Sequence, residues 1–137
     1  MDQDILLLHQ LLQEGYCCSR AMAALGLRLR GEENPTLEQA AGGLCLGVHG
    51  GFTCGAFTGA AMVLAMYDPE LAAQEMIPEL ADWFRDMAES SYGGTDCDSI
   101  MAGDPVNKAL RCPKLIDAVW KQTKEILEDQ GFDPTLA

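Results

Sequence analysis

Positive charge is scarce in this chain. Nine lysines and arginines stand against 21 aspartates and glutamates, a net charge of −12, and no basic cluster relieves the deficit. Nucleic acid and anionic membrane both select basic surfaces, so neither is expected as a partner. Also lacking is any run of the roughly 18 apolar residues that a membrane-spanning helix requires. The opening stretch MDQDILLLHQLLQEG has neither a basic n-region nor a small-residue cleavage site. These absences predict a cytoplasmic protein without membrane insertion. Aromatic residues make up only 7% of the chain, and no stretch keeps a period of two for long. Alanine, leucine and methionine are abundant instead, which favours helix over sheet. There is no internal repeat, low-complexity tract or linker. With 48% hydrophobic content, 137 residues suffice for one buried core. The expectation is a single all-α domain over residues 1–137, with five to seven helices.

What is present is glycine and cysteine, unevenly placed. Seven of the fourteen glycines fall within Gly42–Gly59, together with Cys45, Cys54 and His49. Glycine costs a helix about 1 kcal/mol against alanine, so such a segment implies close backbone approach or positive φ. Gly55 and Gly59 stand four apart on CGAFTGAAMVLAMY, whose almost wholly apolar surface marks it as the buried central helix. Thr53 reads as its N-cap, which puts Cys54 at the first helical position.

The rest of the chain reads as helices punctuated by caps. A first helix is expected over about 2–25, with Leu8, Leu11, Leu12, Cys18, Met22 and Leu25 facing the core and Gly15 and Tyr16 loosening it. Cys17 falls toward the polar side, and His9 reads as a surface histidine. Thr36 and Gln39 form a capping box for a helix from about Leu37 that dissolves near Gly47 to Gly51. Asp68 and Pro69 start another helix as cap and first residue, Pro78 interrupts or kinks it, and Gly93 and Gly94 stop it. Thr95 or Asp96 caps a short helix with Cys97 in its first turn. Asp104-Pro105 can open a turn, and Cys112-Pro113 reads as the start of the last helix, which Gly131 ends.

Cys54, Cys97 and Cys112 thus fall at expected helix N-termini, where unpaired N–H groups and the helix dipole favour a thiolate. On that ground Cys54 is expected to titrate below an ordinary thiol, with burial opposing. Without a secretion signal, six cysteines point away from a disulfide framework and toward metal, cluster or reactive thiols. A phosphate cradle is excluded, because there is no GxGxxG, no GK[ST] and no preceding strand.

These blocks carry a resemblance. The chain resembles the redox-active family named for its C, GCAxxG, C, C cysteine pattern, over about residues 15–130. Gly15-Tyr16-Cys17-Cys18-Ser19-Arg20-Ala21 matches the first block through Cys18. Thr53-Cys54-Gly55-Ala56-Phe57-Thr58-Gly59-Ala60 matches the central one, with Thr53 before the cysteine and Gly55 between it and Ala56. Cys97 and Cys112 match the last two. The resemblance implies a small redox protein using Cys18, Cys54, Cys97 and Cys112, an iron–sulfur cluster as cofactor, and relatives linked to electron-transfer proteins.

No two of the four form a CxxC pair; they stand 36, 43 and 15 residues apart, so only the tertiary fold can assemble them. Cys45, His49 and Cys54 form a competing local constellation that could hold zinc, and Cys17, Cys45 and His49 are lesser candidates for the main site. The functional alternatives are a thiol–disulfide switch or oxidoreductase with Cys17 or Cys45 resolving, a structural zinc protein, and a helical interaction module with cysteines as packing. A redox partner protein is expected, and a homodimer is open. No reaction, and no enzyme activity, is named by these residues.

Overall fold

The structure is a computed structural model that describes residues 2–135; Met1 and residues 136–137 of the expected domain lie outside the described residues. It is all-α, as the periodicity predicts. The order is α1 Gln3–Gln13, α2 Cys18–Leu29, α3 Pro35–Ala41, α4 Gly55–Tyr67, α5, α6 Cys97–Met101 and α7 Pro105–Asp129. We use α5 for Pro69–Leu71, the π-turn Ala72–Met76 and Ile77–Tyr92, which follow one another in right-handed backbone. Among the described residues the only extended pairing outside the helices is an isolated antiparallel bridge between Thr53 and Asp96.

The expected first helix is two helices. Gly15 takes φ +98°, a left-handed value natural to glycine, and the Tyr16 amide returns to Leu11 O at 3.1 Å. The chain then restarts with Cys17 as N-cap and Cys18 as the first residue of α2. From Ala21 to Leu27 every side chain of α2 is buried. α4 buries only the face of Gly55, Ala56, Gly59, Ala60, Val63 and Leu64, so the most enclosed helix is α2, with α4 against it. Leu8, Leu11, Met22, Leu25, Leu64, Met76, Leu80, Leu115, Ile116 and Trp120 fill the core between α1, α2, α4, α5 and α7.

The close approach expected of the glycines is real at Gly59. A Cβ there would lie 2.7 Å from Met22 Cβ, 2.9 Å from Ser19 Cα and 3.0 Å from Ser19 O. At Gly55 it would lie 3.4 Å from Leu44 O and Ser19 N, only just inside ordinary contact. Gly59 therefore sets the α2–α4 separation, and Gly55 follows.

Several caps move. Asn34, whose side chain accepts from Leu37 N at 3.1 Å, replaces Thr36 as the cap of α3, with Pro35 at the first position. Asp68 caps α5 as expected, accepting from Leu71 N at 3.1 Å. Pro78 does not break α5; the widened turn Ala72–Met76 just before it accommodates the missing amide and the ring. The last helix starts at Pro105, capped by Asp104, and runs straight through Pro113, so Cys112 is mid-helix. Pro113 orphans only Ala109 O, and Ala109 is exposed, so water can satisfy it. Gly131, at φ +88°, ends α7 with the paired return bonds Gly131 N to Glu128 O and Phe132 N to Leu127 O. His9 bonds Asp117 through Nε2 at 2.8 Å, tying α1 to α7 at the half-exposed rim. No helix among the described residues is long and apolar enough to cross a membrane.

Candidate four-cysteine centre

Cys18 begins α2, Cys54 is the N-cap of α4, Cys97 begins α6, and Cys112 sits inside α7. The helix-terminus trio is thus Cys18, Cys54 and Cys97, not the expected set with Cys112. Cys54 is the cap itself rather than the residue after a Thr53 cap. The strand-like segment around Thr53 and Asp96 locks two of them in register: Cys54 N donates to Thr95 O at 3.2 Å, and Cys97 N donates to Phe52 O at 2.7 Å. Asp96 caps α6, accepting from Ser99 N at 3.0 Å and Ser99 Oγ at 2.6 Å.

All four cysteines line one enclosed cavity of about 20 Å³, shared with Cys17, Leu46, Gly55, Ile100, Met101 and Lys108. That is room for about one water molecule. On its outer side, Cys17, Cys18, Cys112 and Lys108 also line an open cleft of about 380 Å³ with Leu12, Tyr16 and Pro113.

The lesser candidates fall elsewhere. Cys45 is bonded to Cys17 in a disulfide, with Cα atoms 6.0 Å apart and a sequence separation of 28. The pairing itself was not legible: the residues pointed away from a disulfide framework and offered Cys17 or Cys45 only as a resolving thiol of an alternative thiol–disulfide switch. His49 bonds Gly42 O at 2.9 Å within its own exposed loop. The local Cys45, His49, Cys54 constellation is therefore not assembled. Among the described residues, no three His, Cys, Asp or Glu side chains are grouped so as to hold one metal ion.

A protein family described as "Putative redox-active protein (C_GCAxxG_C_C)" matches residues 16–126. The chain belongs to this family. No curated protein and no solved structure matches it. All six cysteines lie within the matched residues, and the four that the resemblance assigns to the pattern line the one cavity with Cys17.

Their acidities diverge in this C_GCAxxG_C_C protein because their surroundings do. Cys54 is only 3% exposed, and burial pushes its thiol up to about 12. The backbone amides of Ala56 and Phe57 pull the other way and lose. The expected lowering by the helix terminus is thus overturned by desolvation. Burial, then the Cys112 and Asp98 charges, also raise Cys97. Cys18 and Cys112 share a hydrogen bond, which raises Cys18 well above an ordinary thiol and, with Lys108 helping and burial opposing, lowers Cys112 to about 7. The two thiols therefore titrate as a pair, with Cys112 the more acidic.

In metal-free protein with the Cys17–Cys45 bond intact and the other four thiols free, Cys112 is expected to alkylate with a midpoint near pH 7 while Cys54 stays unreactive until strongly alkaline pH. A depressed pKa means the Cys112 thiolate is present above pH 7 and lost below it. Rates against pH, read residue by residue by mass spectrometry, check this. A Cys54 that reacts before Cys112 would show that burial does not govern the site.

Proposed function

We propose that the protein is a small redox carrier whose Cys18, Cys54, Cys97 and Cys112 hold an iron–sulfur centre used in electron transfer. The observation that carries this is the convergence of four free thiols, from four separate helices, on one enclosed cavity. The donor set fits: four thiolates are the ordinary ligands of such clusters. A single zinc ion would draw on the same four donors, with its sulfurs about 4 Å from one another. Among the described residues no three His, Cys, Asp or Glu side chains are grouped to hold a metal ion, so either centre requires the sulfurs to move from their positions on the small cavity. Bound there, a cluster would supply a one-electron couple. The chain's own part is to exclude water from the cavity, to supply Cys112 already inclined to ionise, and to place the Lys108 cation where thiolate charge gathers. Three thiols with raised pKa, Cys18, Cys54 and Cys97, must lose their protons to any metal that enters, so loading releases protons and weakens as pH falls.

The partner in this reading is another redox protein, and Leu46, which lines the cavity yet is 40% exposed, marks a place where the cavity approaches the surface. The compartment it assigns is the cytoplasm. A second reading, thiol–disulfide chemistry, is favoured by the Cys17–Cys45 bond; in a reducing compartment such bonds are commonly catalytic or sensing rather than structural.

Protein purified without oxygen should carry iron and acid-labile sulfide in equal amounts, with visible charge-transfer absorption. Serine at any one of Cys18, Cys54, Cys97 or Cys112 should remove most of the iron, whereas Cys17→Ser and Cys45→Ser should retain it. Iron-free protein after anaerobic reconstitution, or iron retained equally in all six variants, would overturn the assignment.

A further inference from the structure

The Cys17–Cys45 disulfide sits between two features that the electron-transfer reading leaves unused. One is the glycine loop. Cys45 follows the 3₁₀ turn Gly42–Leu44, and after it the backbone turns left-handed at Leu46, Val48 and His49, with φ of 56°, 59° and 54°. None of these is glycine, and a β-branched valine in that region is a conformation the surroundings must impose. Leu46, immediately after Cys45, lines the four-cysteine cavity. The other feature is the open cleft of about 380 Å³, a volume usual for small-molecule sites. It exposes Cys17 and carries Lys108. Cys45, by contrast, is 3% exposed.

We propose that Cys17–Cys45 is a redox latch, opened by a small carboxylate-bearing thiol that enters the cleft and exchanges at Cys17, and that opening it frees the glycine loop from the four-cysteine cavity. The thiolate attacks Cys17 Sγ, because Cys17 lines the cleft and Cys45 does not. The Cys17–Cys45 bond breaks, a mixed disulfide forms on Cys17, and Cys45 leaves as thiolate and takes up the proton the first thiol gave up. A second thiol molecule then attacks the mixed disulfide at the sulfur of the first. Cys17 is released and protonated, and the small thiol departs as its own disulfide. Two electrons and two protons pass from two thiols to the protein.

The reduced state has a place prepared for it. Ser19 Oγ, fully buried, donates to Ala41 O at 2.7 Å and lies 3.0 Å from Cys45 Sγ. Its one proton is committed to the carbonyl, so it can only accept from Cys45, and only a protonated Cys45 can donate. Lys108 on the cleft wall favours an anionic thiol. The latch gives access to the four thiols and so rests on their being the working site.

The test uses metal-free full-length protein, with Cys17–Cys45 oxidised, and glutathione as the probe. Brief exposure and acid quenching should trap glutathione on Cys17 and not on Cys45. After reduction and removal of glutathione, Cys54 and Cys97 should alkylate at least tenfold faster than in the oxidised protein, and the double variant Cys17→Ser/Cys45→Ser should match the reduced rate. Cysteamine, a cationic thiol, should open the latch more slowly at equal thiolate concentration, and Lys108→Glu should remove that preference. An adduct on Cys45, or equal alkylation rates in oxidised and reduced wild-type protein, would overturn the proposal. These readings need no metal, so they stand or fall separately from the iron content that tests the carrier function.

Discussion

Gly59→Leu should leave the protein unfolded, or destabilised by about 3 kcal/mol or more, since overpacking of this kind reaches that size. The clash cannot be relieved by a rotamer. Met22 Cβ and Ser19 Cα and O, at 2.7, 2.9 and 3.0 Å from a new Cβ, belong to the α2 backbone or are fixed to it. To admit even a methyl group, α2 and α4 must separate. Net stability of a domain this size is only about 5–15 kcal/mol, so the leucine removes a large part of it. The smaller Gly59→Ala change discriminates between explanations. In a merely flexible helix it would stabilise by about 0.4–1 kcal/mol; here it should destabilise. Urea midpoints of the three proteins decide, and a Gly59→Ala variant as stable as wild type would show that α2 and α4 are not in obligatory contact. Because Ser19 also anchors Ala41 O and Cys45, separating the helices should disturb the cysteine site before the fold is lost.

What could be read from the residues was local. Asp68-Pro69, Asp96 before Cys97, Gly93 and Gly131 each carry a cap or stop whose physics acts within a few residues, and each falls where it was expected. The helical class follows from apolar spacing summed over long windows. Errors arise where a local signal has two outcomes. Gly15 can be tolerated in a helix or can end one, and here it ends one, moving Cys18 from mid-helix to a first turn. Pro113 can open a helix or be carried inside it; with Asp104-Pro105 already capping and Ala109 exposed, the helix simply continues and Cys112 loses its N-terminal place. Tertiary facts lay out of reach. Burial of Cys54, which reverses its expected acidity, depends on α2, α4 and α6 meeting. The Cys17–Cys45 bond joins residues 28 apart whose contact depends on Ser19, Ala41 and the glycine loop. Cys18, Cys54, Cys97 and Cys112, the set the resemblance selected, line one cavity together with Cys17, and spacing alone could not have brought them there.

Asp4→Ala should cost about 3 kcal/mol, the lower end of the range for stripping one partner from a buried ion pair. The Asp4 carboxylate is 5% exposed and accepts from Ile5 N at 3.0 Å, from Trp120 Nε1 at 2.8 Å and from Lys124 Nζ at 3.0 Å. Trp120 is fully buried in α7, so without Asp4 its indole N–H has no acceptor in the core. Lys124 keeps 23% exposure of its side chain and a second neighbour in Asp2 at 3.8 Å, which is why the loss stays at the lower end. Burial alone would raise the Asp4 pKa, but the bonds from Trp120 and Lys124, the lysine charge and the Ile5 amide together hold it below its ordinary 3.8. A folded-state pKa below the unfolded one gives stability that is present above about pH 4 and lost as pH falls through the lower, folded value. Burial likewise works against the Lys124 charge and is outweighed by the Asp4 bond and charge, so its pKa lies above 10.5 and its contribution fades only as pH rises past that raised value. Urea unfolding from pH 7 down to pH 2 should therefore show the wild type losing its advantage over Asp4→Ala in acid. Asp4→Asn, which keeps an acceptor for Trp120 but not the charge, should lie between the two at pH 7 and show the flatter acid response of Asp4→Ala. If Asp4→Asn is no more stable than Asp4→Ala, the indole hydrogen bond contributes nothing and the lysine pairing alone joins α1 to α7 at this point.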